Sequence, residues 1–143
     1  MALIQGMTDQ FRIDVLNGVH NLSSDVIMMA LYSNSLGASI SPTSTVYTSA
    51  GEVVGAGYTA GGVVMTGASV QGSTGLSWVS WNNTSFTLPT AVGVSGCMIY
   101  NASKSNKAIL ILNFGVDQFP NASNSFLVPA PINPSLNAFL RLA

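Results

Sequence analysis

The chain has 143 residues, of which 48% are hydrophobic and 6% are charged, and its formal net charge is −1. An ordinary soluble protein has about 25% charged residues, so this exterior must consist largely of Ser, Thr, Asn, Gly and apolar groups. The hydrophobic content excludes a disordered chain, and the length predicts one domain over residues 1–143. The four basic residues are too few and too scattered to neutralise a nucleic-acid backbone, so we expect no nucleic-acid partner.

So few charges give little electrostatic protection against association. We therefore expect partners to cover much of the surface, with self-association as a dimer or a trimer. The alternative is a soluble monomer whose many Ser, Thr and Asn residues prevent association between copies. No apolar run approaches the roughly 20 residues of a membrane span, and the N-terminus lacks a basic region, so we predict neither a membrane partner nor a secretory signal.

The first predicted element is a short helix near the N-terminus. Thr8 or Asp9 can cap its first turn, Phe11 and Val15 fall on one face, and Gly18 suits the position after the last turn. Two to three turns are too few for a stable isolated helix, so it must pack on the domain or on a neighbour.

Residues 1–20 are predicted to form an N-terminal arm that includes this helix. Such a segment can grip a neighbouring subunit through its apolar side chains. Its interface candidates are Ile4, Met7 and Phe11.

From residue 26 onward the pattern is typical of strands. Residues 26–32 and 108–112 are continuous apolar runs too short for helices, as in strands covered on both faces. Residues 136–142 alternate apolar and polar, whereas the prolines within 119–135 make a central strand unlikely there. We predict an all-β fold, a jelly roll or β-sandwich of roughly seven to eight strands with one short N-terminal helix. Further strands are predicted at 63–70, 76–81, 85–88 and 94–100.

Five glycines occupy the twelve residues Gly51–Gly62, and this density indicates a structured crossing of the chain. Gly55-x-Gly57 resembles part of a dinucleotide-binding motif, but a strand rather than a helix is predicted to follow. Glu52 could be a catalyst, but we favour a carboxylate that bonds backbone amides of this turn.

Recognisable catalytic or metal-binding chemistry is missing from the sequence. His20, the single histidine, could be a general base or metal ligand, but nothing near it supplies a nucleophile, an orienting carboxylate or companion ligands. We interpret it as hydrogen-bonded at a helix-to-strand junction. The lone Cys97 has no zinc-binding companions and is predicted to be a buried hydrophobe. We therefore predict no enzyme, no catalytic residue, no metal and no cofactor.

Trp78 and Trp81 are three residues apart, so in a regular strand they would point to opposite faces. One is then expected in the core and the other on a covered surface, and Trp81 joins the interface candidates. The alternative is a bulge that puts both rings inside. Lys104 and Lys107 are predicted to form a solvated hairpin tip.

Turn and strand motifs are spread over residues 11–126. They are Phe11–Leu16 with Gly18-x-His20, Ala30–Leu36, Val46–Thr48, Gly51–Val53, Gly57–Gly62, Ile99–Asn101 and Leu112–Gly115. Together they resemble a family of small tailed-bacteriophage virion proteins, which usually has an aspartate where Asn113 stands.

That resemblance implies a capsid decoration, or cement, protein. Such a protein would bind the major capsid protein on the exterior of a virion assembled in the host cytoplasm, and would stabilise the shell across subunit seams. The alternative is a head- or tail-fibre-associated module that binds a host-surface glycan or receptor. It predicts few copies per particle, with aromatic residues such as Tyr58 or Trp81 exposed around a polar pocket.

Overall fold

The computed structural model describes residues 3–132 and 137–142. Strands dominate these residues, so the predicted all-β, sandwich-like class with one short N-terminal helix is confirmed. The described residues form ten strands rather than seven to eight, because several are only two to five residues long. The strands are β1 (Gly6–Met7), β2 (Ile27–Tyr32), β3 (Val63–Val64), β4 (Ser69–Ser73), β5 (Leu76–Ser80), β6 (Thr84–Thr87), β7 (Val94–Asn101), β8 (Lys107–Gln118), β9 (Ser125–Val128) and β10 (Leu140–Leu142), and the helix α1 is Asp9–Leu16.

The strands form three antiparallel sheets. Their orders are β1-β8-β7-β2-β3, β10-β5-β4 and β6-β9. In the five-stranded sheet, the pair Met29 and Ile99 lies on one face and the pair Ala30 and Met98 on the other. The first face packs against α1 and the two smaller sheets, and the second against the N-terminus and the segment after β2. The apolar runs of β2 and β8 therefore serve two cores, as predicted for strands covered on both faces.

Helix α1 begins and ends where the sequence predicted. The Thr8 hydroxyl accepts a hydrogen bond from the Phe11 amide at 3.0 Å and donates one to the Ala108 carbonyl at 2.8 Å, which ties the helix to β8. Gly18 follows the helix with a φ of +66°. The buried face differs from the prediction, because Phe11 and Asp14 are buried whereas Val15 remains 36% exposed.

The described part of the predicted arm is built into the fold of its own chain. Gly6 and Met7 pair with Ile111 and Leu110 of β8, and Leu3 is buried in the second core. Strand pairing and burial of Leu3 hold residues 3–7 on the sheet, and the contact of this segment with a neighbouring subunit stays a prediction.

Two other predicted strands differ in extent. The segment 63–70 is split into β3 and β4, and Gly67 between them has a positive φ of +70° that interrupts an extended chain. Of 136–142, the structure describes strand only at Leu140–Leu142, and Leu136 lies outside the described residues. Within 119–135, β9 pairs only with β6, so it is not a central strand.

None of the helices in the described ranges has both the length and the apolar character needed to cross a bilayer.

Candidate interaction surface

The glycine-rich segment lies against β2 and is held there by close backbone contacts. Gly62 has a φ of +86°, and a Cβ atom at this position would collide with the carbonyl oxygen of Met29. Gly51 has a φ of +80°, and its Cβ would collide with the backbone of Ala38. The segment is therefore a structured crossing, as predicted, and β3 follows it instead of a helix.

Glu52 is the buried centre of this segment. Its Oε1 accepts hydrogen bonds from the Gly61 amide at 2.7 Å and the Tyr58 hydroxyl at 2.6 Å, and its Oε2 accepts one from the Tyr47 hydroxyl. The predicted bond between the Glu52 carboxylate and a backbone amide of the turn is confirmed. Because these donors occupy both carboxylate oxygens, the arrangement is suited to holding the loop.

The four tyrosines of the chain lie around this carboxylate: Tyr47 and Tyr58 donate to it, and its charge acts on Tyr32 and Tyr100. Tyr100 donates to the Gly61 carbonyl at 2.6 Å and stacks on Tyr47, with ring centroids 4.8 Å apart. Burial, followed by the hydrogen bond to Glu52, raises the pKa of Tyr47 and Tyr58. Both hydroxyls therefore stay protonated and remain donors. Local sequence patterns did not predict this cluster, because the four rings are distant in sequence.

His20 lies between α1 and the end of β7. The Asn101 side-chain amide lies 2.9 Å from His20 Nδ1, so Nδ1 is the acceptor and the ring proton sits on Nε2. Nε2 faces Asp14 Oδ2 at 3.4 Å, and neither atom has a hydrogen-bond partner in the described part of the chain. The predicted hydrogen-bonded histidine at a helix-to-strand junction is confirmed. The fold also places the Asp14 carboxylate beside the ring, which local sequence did not reveal.

Asp14, beside His20, links helix α1 to strand β8. Asp14 Oδ1 accepts a hydrogen bond from Gln10 at 2.9 Å and lies 3.6 Å from the Lys107 ammonium. Lys107 is therefore half-buried beside α1, which corrects its assignment to a solvated tip. Burial lowers the pKa of His20 although Asp14 opposes this shift. The side chains of His20 and Asp14 are only 2% and 4% exposed, which is poor access for an acid–base pair.

No three His, Cys, Asp or Glu side chains among the described residues are arranged to hold a metal ion. Cys97 is buried in β7, as predicted, and burial raises the pKa of its thiol to about 12. It therefore behaves as a small core residue.

Among the clefts that the described residues line, two have a volume of about 470 Å³ each. The first lies between α1 and the three-stranded sheet, and its wall includes Phe11, Val70, Trp78 and Leu142. None of its described lining residues carries a formal charge. The first cleft can therefore accept an apolar group without desolvating an ion.

The second cleft lies beside β9 and has an aromatic wall. Phe114 and Phe126 meet there with ring centroids 6.2 Å apart, and the exposed Phe119 and Leu127 form part of the lining. No formal charge occurs among its described lining residues either. Like the first cleft, the second can accept an apolar group without desolvating an ion.

The rest of the described surface is also poor in charge and exposes several large apolar side chains. Asp14 and Glu52 are buried, so the other seven of the nine charged residues share 7034 Å² of surface. Leu16 on the outer side of α1 is 89% exposed, and Ile13 beside it is 55% exposed. A surface of this kind has much to gain from being covered.

The four interface candidates occupy different environments. Phe11 is buried in the first core and Met7 is half-buried in β1, whereas Ile4 is 57% exposed. Trp81 is 5% exposed in the core and Trp78 lines the first cleft, so Trp81 is corrected to the inner ring of the pair. Ile4 offers the most surface of the four, and a partner contact there stays a prediction. The exposed side chains of Leu16, Ile13 and Phe119 were not among the residues predicted from the sequence.

Comparisons with protein-family models, with curated proteins and with solved structures found no match to this chain.

Proposed function

We propose that this chain is a structural protein of a bacteriophage virion, a capsid decoration protein. It would bind the outside of the shell and stabilise it across subunit seams. Two observations support this function: the motif resemblance over residues 11–126, and a described surface with exposed apolar side chains and few charges.

The observation that carries the proposal is the combination of exposed apolar side chains with scarce ions. Leu16, Val54 and Val116 are each at least 70% exposed, and neither cleft has a charged residue in its described lining. A monomer that works alone in water gains nothing from such a surface. A protein clamped between neighbours gains stability from each apolar group that it buries.

Mechanically, attachment would use apolar burial and backbone hydrogen bonds. A specific interface of about 800 Å² per partner suffices for stable attachment. Shell expansion or internal DNA pressure would then have to break many contacts together. With few ions at the seam, attachment depends only weakly on salt.

The test uses empty heads of the phage that encodes the chain, stripped of this protein and offered the purified chain. Bound copies are counted from stained-gel densities against the major capsid protein, at low salt and at about 1 M NaCl, where screening is nearly complete. We expect many copies per head at both salt concentrations. A few copies per head, or release by salt, would contradict the proposal.

The alternative is a fibre-associated, glycan-binding module, which predicts exposed aromatic residues such as Tyr58 and Trp81. Tyr58 is half-buried with its hydroxyl bonded to Glu52, and Trp81 lies in the core. Neither of these two rings is exposed around a polar pocket, so the alternative would need other exposed aromatic residues. The same copy count distinguishes the two functions, because a fibre module is present in few copies.

A further inference from the structure

Strand β4 is exposed along its outer backbone edge and on both faces of the sheet. It forms the edge of the sheet β10-β5-β4, and no second strand among the described residues pairs with it. Residues 70–73 are exposed on both faces of the strand, so the core does not hold it. A strand of this kind presents a row of free backbone donors and acceptors to any other chain.

The usual protection of an edge strand is missing here. Proteins block such edges with lysine, other charges, proline or a bulge. The β4–β5 hairpin, residues 69–80, contains no charged residue and no proline, and its five-residue register has no shift. The edge is therefore open to pairing.

We propose that β4 of a second copy of this chain pairs antiparallel with β4 about a two-fold axis at Gln71. The two sheets would then form one six-stranded sheet. Gln71 would face Gln71, Val70 would face Gly72, and Ser69 would face Ser73. Pairing about a two-fold axis uses both β4 edges, so this contact closes on itself as a dimer.

The sequence of β4 favours a second copy as the occupant. Self-pairing sets no like charges opposite each other, and Gly72 leaves room for the Val70 side chain. The two Gln71 amides can hydrogen-bond across the axis. Val70 also lines the first cleft, so the uncharged surface continues from the strand edge into that cleft and adds apolar area to the contact.

Charge reversal at the axis tests this arrangement in the free protein. Q71K and Q71E each place like charges face to face, and each should weaken dimerisation by at least about tenfold in sedimentation velocity. An equal mixture of the two should recover dimers as the mixed pair. T90K, with the same charge change in an exposed turn outside the sheet, should dimerise as the original chain does.

Cysteine substitutions test the register. Facing residues of antiparallel strands have Cα atoms about 4.5–5.5 Å apart, within the span of a disulfide. Q71C should cross-link to itself on oxidation, whereas S69C and S73C should cross-link only when mixed. The native Cys97 is buried and adds no background.

The inference is overturned if the chain stays monomeric at high concentration, if Q71K dimerises as T90K does, or if Q71C forms no cross-link. It rests on the proposed function for its biological role, because it supplies the self-association expected of a shell protein. The two remain separable, since the pairing is measured without heads. If the chain is monomeric but still decorates heads, the β4 pairing is contradicted and the proposed function is not.

Discussion

The carboxylate oxygen Oε1 of Glu52 lies 2.6 Å from the hydroxyl oxygen of Tyr58, six residues further along the glycine-rich segment. Tyr58 in turn accepts a hydrogen bond from the Leu31 amide at 3.0 Å, so the pair fastens this segment to β2. Burial keeps the tyrosine protonated by raising its pKa, and the bond therefore persists across the neutral range.

Replacing Glu52 by glutamine should destabilise the fold. A glutamine amide nitrogen cannot accept a hydrogen bond, so at least one buried donor would lose its partner at a cost of about 1–3 kcal/mol in the free energy of unfolding. Urea titration followed by tryptophan fluorescence measures the loss. D9N is the control, because Asp9 is exposed and its change should stay within about 0.5 kcal/mol. Equal losses in the two variants would contradict the anchoring role.

Alanine at Gly62 should be far more harmful than alanine at Gly75. Both glycines have positive φ, but a Cβ at Gly62 meets the Met29 carbonyl whereas nothing lies within 4 Å at Gly75. The strained φ alone costs about 1–2 kcal/mol, which is the loss expected for G75A. The loss for G62A should exceed it clearly in thermal unfolding. Similar midpoints for the two variants would mean that the segment is not held tightly against β2.

The free energy of unfolding should fall as the pH drops below about 6.5. Burial lowers the pKa of His20 in the folded chain, so the unfolded chain binds more protons in the window between the two pKa values. Asp14 and Asp25 face the ring and favour its protonation, whereas Lys107 opposes it. The pKa of Asp25 is itself lowered, but it acts only below about pH 4, outside this window.

Urea titrations at pH 7.5 and 5.5 measure this pH effect, and H20Q is the comparison because glutamine does not titrate. We expect a smaller pH dependence in H20Q. If the two chains lost stability equally between these pH values, His20 would not be the responsible group.

Cys97 should not react with a thiol reagent at pH 8 while the chain is folded. Its side chain is fully buried and burial raises its pKa to about 12, so both thiolate and access are lacking. Ellman's reagent should label the chain only after denaturant is added. T90C, which adds an exposed thiol in a turn, should label at once at that single site. Rapid labelling of the native thiol would show that β7 opens readily.

Lysine at Leu16 should reduce attachment to phage heads without changing stability. The side chain is 89% exposed, so the free energy of unfolding should shift by no more than about 0.5 kcal/mol, whereas a charge buried at a seam is costly. F119K probes the second cleft in the same assay, and T90K is the control. Bound copies per head are measured for each variant. Unchanged binding of both L16K and F119K would exclude these surfaces from the shell contact.

Local patterns were sufficient for the parts of the fold that neighbouring residues determine. The Thr8 cap, the Gly18 end of α1 and the doubly covered β2 were all predicted, because capping and apolar runs act over a few residues. Glu52 was also predicted correctly, since its backbone partner Gly61 lies in the same glycine-rich segment.

The sequence by itself therefore determined the class of fold, the helix and the scarcity of charge. Only the tertiary structure decided which distant groups meet. Asn101 reaches His20 across 81 residues, and Asn113 reaches Gln5 across 108. It also placed Trp81 inside and Trp78 at a cleft, and it built residues 6–7 into the main sheet. These outcomes depend on strand pairing between remote segments, which a pattern of adjacent residues does not encode.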